Sequence, residues 1–162
     1  MVVKSSRPPD ELLDEFVRIA HRIVWCTLVT VDRHGRPRSR VVHPYWERTG
    51  DGLTGWAFTR PTTPKVAHLA RTPFVSCSYW DPAQEVAVAE CAAALADDPE
   101  SRRHVWEFFS TAAEPLGFDP KIMGGVDHLD PVVTVLRFTP WRLATLTGAW
   151  ERVAELSVSS AR

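Results

Sequence analysis

The stretch GRPRSRVVHPYWERTGDGLTGWAFTRPTTPK, from Gly35 to Lys65, decides the fold. It holds two strand-like runs joined by the turn Thr49-Gly50-Asp51-Gly52. Arg38 and Arg40 are two apart, so on a strand they point to one face. The second run ends in Phe58 and Thr59, and Pro61-Thr62-Thr63-Pro64-Lys65 reads as a helix start. Thr63 suits the N-cap and Pro64 the first helical position, where a missing N–H costs nothing. Free N–H groups at that start, with Lys65, Thr59, Thr62, Thr63 and Arg40 nearby, predict a phosphate site. The plain alternative is a solvated strand face followed by an ordinary helix cap. No GxxxxGK[ST] is present, so a P-loop is excluded.

Upstream, Asp10 is a candidate N-cap for a helix carrying Leu12, Leu13, Phe16, Val17, Ile19 and Ala20 on one stripe. His21 falls at the negative end of that helix and is expected as a terminal charge partner. Val24 to Asp32 is β-rich, and Asp32-Arg33-His34-Gly35 turns it into the strand expected from Pro37 to Trp46. Pro44 marks an edge or bulge there. His43 is read as a packed histidine or as a contact to a bound ring.

Downstream come a short helix from Lys65 to Arg71, a strand from Pro73 to Trp80, and a small-sided strand from Glu85 to Ala96. Glu85 is expected beside the ligand pocket, with a solvent-facing strand end as the alternative. Asp97-Asp98-Pro99-Glu100 opens a third helix with Val105, Trp106, Phe108 and Phe109 inward. Residues 116–129 are irregular, and a loop of that length, holding Gly117 to Gly125, suits a lid or binding loop. Pro140 is expected to break a strand begun at Pro131 from a last one, Trp141 to Thr147. Trp141 could cover a ring and Arg142 reach a phosphate; core packing and a surface charge are the alternatives. About seven strands and three short helices favour a mainly β (α+β) antiparallel barrel over a parallel sheet. Residues 1–9 are expected as a flexible arm, 10–156 as one domain and 157–162 as a frayed tail.

Composition narrows the function. With 19 basic and 20 acidic residues the chain is no dedicated nucleic-acid binder. No apolar run is long enough to cross a bilayer and no leader is visible. The cysteines Cys26, Cys77 and Cys91 are odd in number and lie in strands, so a reduced, cytoplasmic protein with inert core thiols is expected. The six histidines lack metal-site spacing, and no metal is expected. No GxSxG and no GxGxxG occurs. Seven tryptophans offer stacking surface for a flat ligand, although they also serve cores and interfaces.

The succession "GRPRSRVV", "FT", "TTPK", "FVSCSYW" and "EVAVAECAAAL", spread over Asp10 to Trp141, resembles the FMN-binding split-barrel proteins of the pyridoxamine 5'-phosphate oxidase-like superfamily. The resemblance implies an antiparallel split β-barrel, a homodimer, and a flavin at the subunit interface. By that pattern Arg40 matches a phosphate-binding arginine, and the backbone of Val41 and Val42 lies along the flavin ring. Phe58 and Thr59 match an aromatic–Thr pair, and Thr63 and Lys65 match the Ser and Lys of a phosphate motif. Pro64 departs from that motif and removes one basic contact. Glu85 falls where the oxidases carry a Gln near the ring. Their Arg-rich C-terminal segment is not visible, which argues against pyridoxine phosphate as substrate.

The reading is therefore an FMN-dependent oxidoreductase acting on a small organic molecule, with no catalytic side chain named. Alternatives are an F420 (deazaflavin)-dependent reductase of the same fold and a non-enzymatic flavin- or haem-binding barrel. Haem would need an axial ligand from His43, His68 or His128.

Overall fold

A computed structural model describes residues 1–50 and 52–153; the expected frayed tail, 157–162, lies outside the described residues. In chain order the elements are β1 (Val2–Ser5), α1 (Asp10–Ile23), β2 (Cys26–Val31), β3 (Pro37–Val42), β4 (Tyr45–Thr49) and β5 (Gly52–Thr59). Then follow α2 (Pro64–Leu69), β6 (Phe74–Trp80), β7 (Val86–Leu95), α3 (Pro99–Thr111), a 3-10 turn at Pro120–Met123, β8 (Thr134–Thr145) and β9 (Ala149–Arg152). The strands form one branched sheet in the order β1-β9-β8-β7-β6-β2-β3, with β4 and β5 joined through the β5–β8 pair. All its pairs are antiparallel except β1 with β9. The sheet is not closed: β3 and β4 follow each other in the chain but do not pair.

Two prolines explain where the strands differ from expectation. The run from Pro37 to Trp46 is two strands, because the Pro44 ring has no N–H for a ladder. The chain breaks at His43-Pro44 and crosses from one flank of the sheet to the other. Pro140, expected to end a strand, lies inside the single strand β8. The register with β7 shifts between Glu90 and Cys91, which pair with Arg142 and Pro140, so Trp141 is the extra residue of a bulge. At that same place the other edge of β8 changes partner, from β5 up to Phe138 to β9 from Arg142. The proline therefore sits where one edge has no ladder to lose. Val2–Ser5, expected in a flexible arm, pairs with Ala149–Arg152.

Helix α1 packs against β4, β6, β7 and β8. Its stripe of Leu12, Leu13, Phe16, Ile19 and Ala20 is buried, as the spacing predicts. The N-cap is Pro9 rather than Asp10, which becomes the first helical residue. Phe16 meets the edge of Trp46 at 5.1 Å, and Trp46 Nε1 donates to the Tyr79 hydroxyl at 2.8 Å. Burying each such aromatic contributes about 1.5–3 kcal/mol. Gly55 faces Trp46 across the β4–β5 ladder, and a Cβ there would lie 2.6 Å from the indole. His21 is no charged helix terminus: its Nε2 accepts the Trp46 N–H at 3.0 Å, and burial lowers its proton affinity. Cys26, Cys77 and Cys91 are free and buried in this core, where the hydrogen bond with Cys77 and then burial push the Cys26 thiol far up.

A second, aromatic core lies under α3, from Tyr45, Trp56, Val105 and Phe109, flanked by Phe58, Phe108 and Phe118. Asp98 caps α3 by accepting the Ser101 N–H at 2.8 Å. No described helix is long and apolar enough to cross a membrane.

Candidate functional site

Between the ends of β3 and β5, the start of α2 and the 112–133 loop lies a cleft of about 460 Å³, within the range of ligand pockets. Val41, Val42, Phe58, Thr59, Thr63 and Lys65 line it, all of them expected from sequence. Thr62 is exposed and does not.

The polar corner is built by side chains. Thr63 is the N-cap of α2, but its hydroxyl donates to the Arg60 carbonyl at 2.9 Å and pairs with the Thr59 hydroxyl at 3.2 Å. Pro64 has no N–H, and the Val66 N–H is taken by the Thr63 carbonyl at 3.0 Å. The helix start thus offers fewer backbone donors than the sequence reading expects, and the positive charge comes from Lys65 and Arg60 in the cleft wall, with Arg40, on β3, next to Lys65.

Arg40 is half-buried on β3, where its guanidinium donates to the Thr30 hydroxyl at 2.7 Å and to the Leu28 carbonyl at 3.3 Å. Thr30 in turn contacts His68 Nδ1 at 2.8 Å, which ties β2 to α2. Burial lowers the proton affinity of Lys65, and the Arg40 charge lowers it further. Burial, followed by Arg38, does the same to Arg40. Among the described residues neither cation has a carboxylate partner within salt-bridge distance. Two adjacent, half-buried, uncompensated cations are costly unless an anion joins them.

The opposite wall is apolar: Trp25, Pro115, Phe118, Ile122 and Met123. The irregular loop was readable from its length, and it does supply cleft wall. Trp25 had no sequence signal, yet its indole is 60% exposed beside Val41 at 64%. His43 sits at this end, ringed by Trp25 at 5.0 Å, Phe118 at 4.9 Å and Phe109 at 5.4 Å. Burial lowers its proton affinity, and its Nε2 has no partner among the described residues. Of the three histidines considered as axial ligands, it alone lines the cleft. Arg102, not singled out by sequence, holds the loop: buried on α3, it donates to the carbonyls of His128 at 2.6 Å and Asp130 at 2.5 Å and to Asp97 at 2.8 Å.

Arg40 does not itself line the cleft but stands close enough to Lys65 to act on its charge; two further expected residues, Glu85 and Trp141, are not brought to the cleft within one chain. Glu85 is bound by Arg18 at 2.8 Å and by Arg22, both on α1; those guanidinium contacts, Arg18 first, hold its carboxyl below the usual range. Trp141 lies on the β8 bulge, 37% exposed, and does not line the cleft. No group of three or more His, Cys, Asp or Glu able to hold a metal is found among the described residues.

Comparison with known families matches residues 12–143 to pyridoxamine 5'-phosphate oxidase. Comparison with the curated proteins finds no match. Among solved structures, an FMN-binding, pyridoxamine 5'-phosphate oxidase-related protein of Nostoc punctiforme is 17% identical, with TM-score 0.58, covering 83% of this chain and 80% of its own. The General Stress Protein 26 of Bacillus anthracis is 14% identical, with TM-score 0.64 and coverage of 83% and 93%. An F420 reductase is 14% identical, with TM-score 0.60 and coverage of 85% and 98%. At these identities the likeness is one of fold.

Proposed function

The chain belongs to the pyridoxamine 5'-phosphate oxidase family, and on that premise we propose that it is an FMN-dependent oxidoreductase acting on a small organic substrate. The observation that carries this reading is Lys65 in the wall of an aromatic-lined cleft with Arg40 close enough to act on its charge, both lacking acidic partners among the described residues. A flavin phosphate would supply the missing negative charge, and the apolar wall of Trp25, Phe58 and Phe118 would take its ring.

Bound there, a flavin supplies hydride acceptance and donation. Lys65 and Arg40 would hold the phosphate, with the hydroxyls of Thr59 and Thr63 available to it. The backbone of Val41 and Val42 would face the ring, and Phe58 and Phe118 would keep water from it. No described side chain is assigned as acid or base.

The assembly in this reading is a homodimeric split barrel. Its support is the outer face of β3 and β6, where Val41, Phe74 and Trp80 are 64%, 57% and 59% exposed. A second copy would cover them and bring Trp141 toward the partner's ligand. Glu85, engaged by Arg18 and Arg22, is left out of the reading. Three free, buried thiols suit a reducing, cytoplasmic setting. A deazaflavin is the second reading, since an F420 reductase shares the fold and the same cation pair would take its phosphate.

The test is a fluorescence titration of ligand-stripped protein with FMN and, separately, with F420. Tight FMN binding supports the first reading, and F420 binding alone moves the assignment to deazaflavin chemistry. Binding of neither overturns the site.

A further inference from the structure

Two buried side-chain polar atoms have no hydrogen-bond partner among the described residues: His43 Nε2 and the Tyr45 hydroxyl. Both rings pack on Phe109, with centroids 5.4 Å and 5.2 Å away. An unpartnered buried polar atom costs stability, and native folds keep few of them. The two differ in where they lie. Tyr45 belongs to the aromatic core under α3, whereas His43 lines the cleft. The histidine's missing partner can therefore come from a bound molecule.

The other polar side chains of the cleft wall come from one stretch, Thr59, Arg60, Thr63 and Lys65. The two threonine hydroxyls pair with each other, Thr63 also donates to the Arg60 carbonyl, and Arg60 donates to the Met123 carbonyl at 3.3 Å. Lys65 is the anion-facing cation of the reading above. The rest of the wall is apolar except for His43. Its imidazole stands among Trp25, Phe118 and Phe109, rings that offer it no acceptor. The Leu116 carbonyl favours its protonated form but makes no bond to Nε2. Burial outweighs that carbonyl, so the imidazole is uncharged at neutral pH. A neutral imidazole carries one N–H and one bare nitrogen, so Nε2 donates or accepts a single bond according to the tautomer.

We propose that His43 is the second polar anchor of the cleft, hydrogen-bonding through Nε2 to the polar edge of the flat ring bound there. The inference rests on the cleft being a flavin or deazaflavin site: the cations hold the phosphate, and His43 reads the ring. Nε2 has no open surface in the ligand-free cleft, so one neighbouring ring turns aside as the ligand enters. Trp25 is the one placed to do so, its indole being 60% exposed and tilted by 58° to the imidazole, whereas Phe109 is fully buried. An all-carbon ring of the same size would leave Nε2 without its bond, so His43 also discriminates against apolar rings.

The experiment compares wild type with His43→Phe, which keeps an aromatic ring and removes the nitrogen, and with His43→Gln, whose side-chain amide replaces Nε2. FMN is titrated against each ligand-free protein, or F420 if wild type binds F420 alone. His43→Phe is expected to bind about 3- to 10-fold more weakly, the worth of one bond between neutral groups, and to shift the visible absorption band of the bound cofactor. His43→Gln should recover most of both. Without ligand, His43→Phe should melt no lower than wild type, since it removes a stranded nitrogen. Unchanged affinity and band position in His43→Phe refute the contact while the cleft stands. So does an equal loss in both variants with a lowered ligand-free melting temperature, which makes His43 a packing residue. If wild type binds neither cofactor, the cleft reading falls and this inference with it.

Discussion

Lys65→Met separates a phosphate anchor from a structural lysine, because the two roles predict opposite signs. Without ligand, the Lys65 ammonium sits half-buried beside Arg40 with no counter-ion among the described residues. Removing it relieves repulsion and keeps the aliphatic stem, so the ligand-free protein should melt no lower than wild type. With FMN the sign reverses. A hydrogen bond to a charged group is worth about 1.5–3 kcal/mol, which corresponds to a 10- to 150-fold weaker Kd. At a ligand concentration about 100 times the wild-type Kd, binding stabilises wild type by about 2.7 kcal/mol. The same concentration leaves the variant about 0.3–1.3 kcal/mol. In a domain of this size that is a melting shift of about 5–11 °C for wild type and about 1–5 °C for the variant. Differential scanning fluorimetry with and without FMN reads both numbers. An FMN shift as large in Lys65→Met as in wild type refutes the assignment. So does a ligand-free variant that melts well below wild type, which would make Lys65 a fold-stabilising residue.

Three further outcomes follow from the geometry. Burial lowers the proton affinity of His21, so below its unfolded value of about 6.5 the unfolded chain binds a proton that the native state resists; stability should be full above that pH and fall with acidification, and urea midpoints between about pH 7 and 5.5 should slope less in His21→Gln. His43 contributes in the same direction. Gly55→Ala drives a methyl into the Trp46 indole and should cost about 1–3 kcal/mol, read by chemical denaturation. Arg102→Met strands the carbonyls of His128 and Asp130 and should cost about 1–3 kcal/mol; because it frees the loop carrying Phe118, Ile122 and Met123, FMN affinity should fall with it.

What the sequence discloses here is local chemistry. Thr63-Pro64 reads as a cap and first helical residue because the ring's missing N–H is harmless only there, and α2 begins at that point. Asp32 to Gly35 reads as a turn, and Gly35 has φ of 75°. The apolar stripe of α1 is set by the helical repeat alone. What stays hidden depends on partners far along the chain. Pro140 breaks strands on average, and only the switch of β8 from β5 to β9 makes it tolerable. His21 looks like a helix-end cation until the Trp46 N–H arrives from residues distant in sequence. Glu85 stands at a strand start, and nothing local says that Arg18 and Arg22 will take it. The cleft follows the same division: its cationic corner is spelled in adjacent residues, whereas Trp25 and the loop aromatics join it only by tertiary placement.

The parallel pairing of β1 with β9 has a mechanical consequence. Val2 lies opposite Ala149 and Ser5 opposite Arg152, so the leading end of one strand and the trailing end of the other are at opposite ends of the pair. Tension applied ahead of Val2 and after Arg152 loads the hydrogen bonds of this ladder in shear, all together, rather than peeling them one by one. The pair thus acts as a clamp on the rest of the sheet under pulling. The Ser5 carbonyl accepts the Val153 N–H, so Val3 and Ser5 are the residues of β1 that bond to β9. In a single-molecule experiment the first rupture force should drop when Val3→Pro removes one of its donors, while the same substitution leaves the cleft's walls in place.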